Sequence, residues 1–125
     1  MLTENLDNFI HKSSICIHSV SEEGIIVYAN ECALEVLGYT KEEYVGHHTS
    51  EFQLDKSCFD DIMQRFYRSE NLHNYPVRVQ GKKDIKYIIY NSSVYEENGE
   101  FIHTRCYGTE VLKPIYDAFL KHLDP

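Results

Sequence analysis

The chain has 125 residues, a formal net charge of −8, and 42% hydrophobic with 13% aromatic residues. That size suits one domain with one core, and the apolar content suits packing over disorder. The negative balance argues against nonspecific binding to nucleic acid or an anionic membrane surface, and no run approaches the roughly 20 apolar residues of a membrane span.

The first residues, Met1 to Asp7, are acidic and lack the basic-then-apolar order of a signal peptide, so a cytoplasmic location is expected. Leu2, Leu6, Phe9 and Ile10 predict a short amphipathic helix ending at His11. Ser14 to Val20 alternates Ile15 and Ile17 against Cys16 and His18, as a strand does. Ser21 to Gly24 is a turn in which Gly24 supplies the bend, and Ile25 to Ala29 completes a hairpin. Asn30 then caps a helix to about Leu37, with Ala33, Leu34 and Leu37 as its apolar face and Gly38 as its C′ residue. Thr40 and Glu43 match a capping box over a short turn from Lys41 to Val45, which Gly46 ends. Lys56 to Arg68 carries Phe59, Ile62, Met63 and Phe66 at helical spacing, a single buried stripe.

Three strands follow. His73 to Gln80 contains Pro76, which fits an edge strand or a bulge. Ile85 to Tyr95 and Phe101 to Gly108 are joined by a turn whose strongest signal is Asn98-Gly99. Pro114 suits the first turn of a last helix with Ile115, Phe119 and Leu123 on one side. The order predicts an α+β fold: a five-stranded antiparallel sheet, helices on one face, and flanking N- and C-terminal helices. The four cysteines, Cys16, Cys32, Cys58 and Cys106, are widely spaced with no Cys-x-x-Cys pair. They read as buried thiols and not as disulfides or a zinc knuckle.

Several short motifs in this order resemble the PAS domain. They are Gly24, Tyr28-Ala29-Asn30, the Leu37-Gly38-Tyr39 turn followed by Glu42-Glu43 and Gly46, and Asn74 to Arg78. Asn91-Ser92-Ser93 and Gly99 to Cys106 complete the set. The resemblance is to sensor modules of bacterial signalling proteins such as histidine kinases, and it spans roughly Asp7 to Val111. It implies one PAS domain over residues 1–125: an N-terminal cap helix in 1–12, a core in 13–111 and a C-terminal helix in 112–125. It also implies a cupped sheet over a small pocket, a homodimer formed through terminal helices, and a downstream signalling partner. Where many such domains end the last strand in Asp-Ile-Thr, Glu110-Val111-Leu112 stands here.

The same resemblance points Ile88, Tyr90, Ser92, Thr104 and Cys106 into the pocket, with His48, Thr49 and Phe52 beside them. Tyr87, Ile89, Phe101 and Tyr107 then form an aromatic outer face, open to a dimer contact or to the N-terminal helix. Thr49 stands where light-sensing flavin relatives carry a reactive Cys, and Lys56 to Arg68 has no His for haem. A cysteinyl-flavin photocycle and haem are therefore disfavoured. His47, His48 and Glu51 form a cluster suited to a metal ion if His18, His73 or His103 adds a third donor, or to proton sensing. No Gly-rich phosphate loop or G-x-S-x-G motif points to an enzyme. The readings left open are a ligand sensor, a dimerisation module without ligand, and a metal or proton sensor.

Overall fold

The computed structural model describes residues 1–123. Strands β1 (Cys16–Val20), β2 (Ile26–Ala29), β3 (Leu72–Gln80), β4 (Ile85–Glu97) and β5 (Glu100–Glu110) form one sheet. Its order is β2-β1-β5-β4-β3, and every neighbouring pair is antiparallel. The first hairpin therefore docks against the last strand, with Cys16 opposite Gly108 and His18 opposite Cys106. Between hairpin and meander the chain makes α2 (Glu31–Leu37), α3 (Lys41–Tyr44), a 3-10 turn (Thr49–Glu51) and α4 (Lys56–Tyr67). Helices α1 (Leu6–His11) and α5 (Lys113–Lys121) flank the core; the end of the expected C-terminal helix, residues 124–125, lies outside the described residues.

Helix α1 starts at Leu6, four residues later than its apolar spacing suggests, because the Asn5 side chain accepts the Asn8 N–H and caps it there. None of its residues is buried. Its anchor is Asn30, which is 0% exposed. Asn30 Oδ1 accepts the Ala33 N–H (3.0 Å), capping α2, and also the Ile17 N–H (2.9 Å). Its Nδ2 donates to the carbonyls of Ile10 (3.0 Å) and Ile15 (2.9 Å). One amide thus joins α1, β1 and α2, and all its bonding capacity is used.

Both meanings of Pro76 hold. β3 is an edge strand, and its register with β4 shifts between Leu72 and Tyr75, where Asn74 takes φ +52°. A second irregularity lies between Tyr95 and Glu96 of β4, where Ile102 is the extra residue of β5. An extra residue reverses the inward and outward alternation. Phe101 consequently lies on the helical face, against Phe66 and Tyr67 of α4 with ring centroids 6.4 and 6.1 Å away, and not on the outer face. Helix α5 folds back over the outer face of β3 and β4. Its Tyr116 is buried against Tyr87 (5.1 Å between rings), and the paired Pro76 and Ile89 are buried on the same face. The expected aromatic surface is therefore halved: α5 covers the β3–β4 part, and Val27 and Tyr107 remain exposed on the β2–β1–β5 part.

Candidate functional site: a hollow beneath α4

Register brings four side chains into one rung across the inner face: His18 of β1, Cys106 of β5, Ser92 of β4 and Leu72 of β3. The apolar stripe of α4 (Phe59, Ile62, Met63 and Phe66) roofs this rung, and Thr49 and Gln53 close one side. The hollow measures about 30 Å³. That is room for about one water molecule.

The roof is fastened along the β3 edge. Arg78 donates twice to Asp55, at the start of α4 (3.0 and 2.8 Å), and holds its carboxyl below the usual range. The Tyr75 hydroxyl donates to Asp61 Oδ2 (2.7 Å), which also accepts from Arg65 Nε (3.0 Å). Both pairs are partly exposed, so each contributes modestly.

The polar groups at the hollow are poorly partnered. Gln53 Oε1 and Ser92 Oγ are buried and find no hydrogen bond of proper geometry within the protein. Ser92 neighbours the Cys106 sulfur on the rung, but the Cys106 thiol is directed to Thr104 Oγ1 (3.2 Å). His18 is 8% exposed and packs edge-on against Tyr90, 5.2 Å between rings. Burial lowers its pKa to about 4, so at neutral pH it is an uncharged ring with one donor and one acceptor nitrogen. Burying such groups without partners is unfavourable, and an occupant of the hollow would satisfy them.

Of the residues expected at the pocket, Thr49, Tyr90, Ser92 and Cys106 line the hollow. Thr104 does not: it is 0% exposed, and its Oγ1 accepts the Val20 N–H (3.0 Å), tying β5 to the end of β1. Phe52 belongs to an aromatic cluster with Tyr39 and Tyr44, its ring 5.1 and 4.9 Å from theirs. His48 faces the outside of α4, 5.8 Å from the Phe59 ring. Its Nδ1 accepts the Ser50 N–H (3.2 Å), and its ring occupies the space left by Gly24, where an added Cβ would come within 2.6 Å of Nε2. His18 and Gln53 were not among the expected pocket residues. The signal for His18 was its alternation with Cys16 and Val20; Gln53 had none.

The expected metal cluster does not form. Glu51 Oε2 accepts the His48 N–H (3.1 Å) as a cap of the 3-10 turn, and Glu51 Oε1 lies 3.3 Å from His47 Nδ1. The His47 ring turns toward Phe52 while His48 turns toward Phe59. Neighbouring residues of a turn point in different directions, and the third donor is missing. His18 lies under α4, and His103 rests on Tyr95. Among the described residues, no three His, Cys, Asp or Glu side chains gather to hold an ion.

A helix-roofed antiparallel sheet around a small, mainly apolar hollow with a few polar groups defines an α+β domain with helices on one sheet face. The chain belongs to the PAS domain family, a family of signal-sensing modules; the family's sequence model matches residues 12–113. No curated protein matches the sequence significantly. Among solved structures, the chain is similar to the PAS domain of an HTR-like protein from Haloarcula marismortui. That match has 16% identity and a TM-score of 0.72, covering 85% of this chain and 88% of that one. It is also similar to a PAS domain from a two-component sensor histidine kinase (13% identity, TM-score 0.69, 83% and 91% covered). A light-oxygen-voltage domain whose mechanism was studied with a flavin analogue matches at TM-score 0.78 with 16% identity, covering 96% and 94%. At these identities the likeness concerns the fold. No helix among the described residues is long and apolar enough to cross a membrane.

Proposed function

We propose that this chain is a sensory PAS module, not an enzyme, that receives a small, partly polar ligand in the hollow beneath α4 and passes the change to α1 and α5. The observation that carries this reading is the pair of buried, unpartnered atoms, Gln53 Oε1 and Ser92 Oγ, facing one space. Native proteins hold few such groups, and each calls for a partner such as a bound water, an ion or a ligand. With room for about one water, the hollow admits a larger ligand only if α4 or the 3-10 turn moves outward. That movement is the first step of the signal, because α4 is joined to the β3 edge through Asp55–Arg78 and Asp61–Tyr75, and α5 lies across the other face of β3. Thr49 on the wall and the absence of His from α4 weigh against a cysteinyl-flavin photocycle and haem. A native mass spectrum and absorbance scan of the purified protein test the reading. It requires a bound small molecule that is lost or weakened in Ser92→Ala and Gln53→Leu. A protein that stays empty through a metabolite screen would overturn it.

A second reading is homodimer formation through the uncovered outer face. Val27 is 48% and Tyr107 42% exposed there, and α1 adds Phe9 at 49% and Ile10 at 39%. Val27, Tyr107 and Ile10 line a groove of about 600 Å³ between α1 and the β2–β1–β5 surface. A second copy of the chain would bury it, in a cytoplasmic module that signals to a downstream protein. Sedimentation should show a dimer that Val27→Glu dissociates; a monomeric wild type would end this reading.

A further inference from the structure

Cys16 of β1 and Cys32 of α2 bring their sulfurs within 3.0 Å of each other. That is about 1 Å longer than a disulfide bond. The approach is made by tertiary packing, with Asn30 holding the Ile17 amide and starting α2 two residues before Cys32. The two thiols differ in surroundings. Cys16 is 7% exposed, while Cys32 is partly accessible and donates to the Ser14 carbonyl at 3.2 Å. The other two cysteines face oxygen: Cys58 toward the Pro76 carbonyl and Cys106 toward Thr104 Oγ1.

We infer that Cys16 and Cys32 form a thiol pair that a hydroperoxide closes, reversibly, into a disulfide linking β1 to α2 at the root of α1. Cys32 is the attacking sulfur, because peroxide can reach it. Its thiolate displaces hydroxide from the peroxide O–O bond and becomes a sulfenic acid. The Cys16 sulfur then attacks the Cys32 sulfur, the S–O bond breaks, and the hydroxyl leaves with the Cys16 proton as water. Two thiols lose two electrons, and one peroxide is reduced to two waters. Burial first, then contact with Cys32, pushes the Cys16 thiol up to about 12, so Cys16 is the resolving sulfur and not the one that peroxide meets first. Closure removes the S–H that Cys32 gives to Ser14, so the link between α1 and β1 loses a hydrogen bond. The redox state is thereby read out at the helix whose apolar side borders the outer groove.

The test uses the full chain, treated with stoichiometric hydrogen peroxide and then denatured for thiol titration. Four thiols should fall to two, and dithiothreitol should restore all four. Glutamyl endopeptidase, cutting after Glu23 and Glu31, should release a linked pair of peptides carrying Cys16 and Cys32. Trypsin cannot separate these two cysteines, which share the segment between Lys12 and Lys41. Cys32→Ser should keep all its remaining thiols, while Cys58→Ser should still lose two. A link between other cysteines, oxygen addition without a link, or equal thiol loss in Cys32→Ser would overturn the inference. Neither Cys16 nor Cys32 lines the hollow, so ligand binding and thiol closure succeed or fail separately.

Discussion

Replacing His18 by Phe tests whether this side chain is as shielded from bulk solvent as its packing indicates. The folded pKa of His18 is about 4, against an ordinary value of 6.5, and burial is the cause. Because the folded value is the lower one, the unfolded chain binds more protons between the two, and stability falls as pH drops through that window. The full difference corresponds to about 3 kcal/mol, of which about 2 kcal/mol is lost between about pH 8 and about pH 5. The depressed carboxyls of Asp55, Asp61, Glu31 and Glu43 act chiefly below that range, where protonation removes their stabilisation. Urea denaturation at the two pH values should therefore move the wild-type midpoint by about 1 M. Phe preserves the edge-on contact with Tyr90 and does not titrate, so in His18→Phe this component should vanish. Parallel pH dependence in both proteins would refute the argument and show that the ring is as solvated as in the unfolded chain.

Three further outcomes follow from the same geometry. Asn30→Ala removes four hydrogen bonds from a fully buried position and should cost about 3 kcal/mol or more, with faster amide exchange throughout α1; a loss under about 1 kcal/mol would contradict its anchoring role. Gly24→Ala places a Cβ at φ +86° and against His48 Nε2, and should cost about 1–3 kcal/mol. Adding His48→Ala should recover part of that loss, whereas strictly additive effects in the double mutant would show that the ring does not fill the space. Oxidation of the Cys16–Cys32 pair closes a loop of about 15 residues and should stabilise the chain by about 3 kcal/mol in urea, while an unchanged or lower midpoint would mean that the native geometry resists the link.

The elements were legible where one short-range rule decides them. Asn30 and Gly38 bound α2, Thr40 and Glu43 close a capping box, and the α4 stripe faces the sheet as its spacing requires. Pairing across strands was harder to read. The inner position of His18 comes from its register with Cys106, 88 residues away, and Ile15, the more apolar residue, is 52% exposed. Phe101 was misplaced because one extra residue, Ile102, reverses the alternation that assigns faces. The lining of the hollow was half visible. Thr49, Tyr90, Ser92 and Cys106 reach the hollow, but His48 and Glu51 are used in holding a turn, and Gln53 gains its importance only from where that turn places it. The 3.0 Å approach of Cys16 to Cys32 likewise arises from packing between elements and leaves no trace in their spacing.

The most direct measurement is a high-resolution crystal structure of the protein as purified, read at one place. The account predicts an ordered small molecule within about 3 Å of both Gln53 Oε1 and Ser92 Oγ. Finding those two atoms bonded to neighbouring protein groups, with α4 closed down on an empty space, would contradict it.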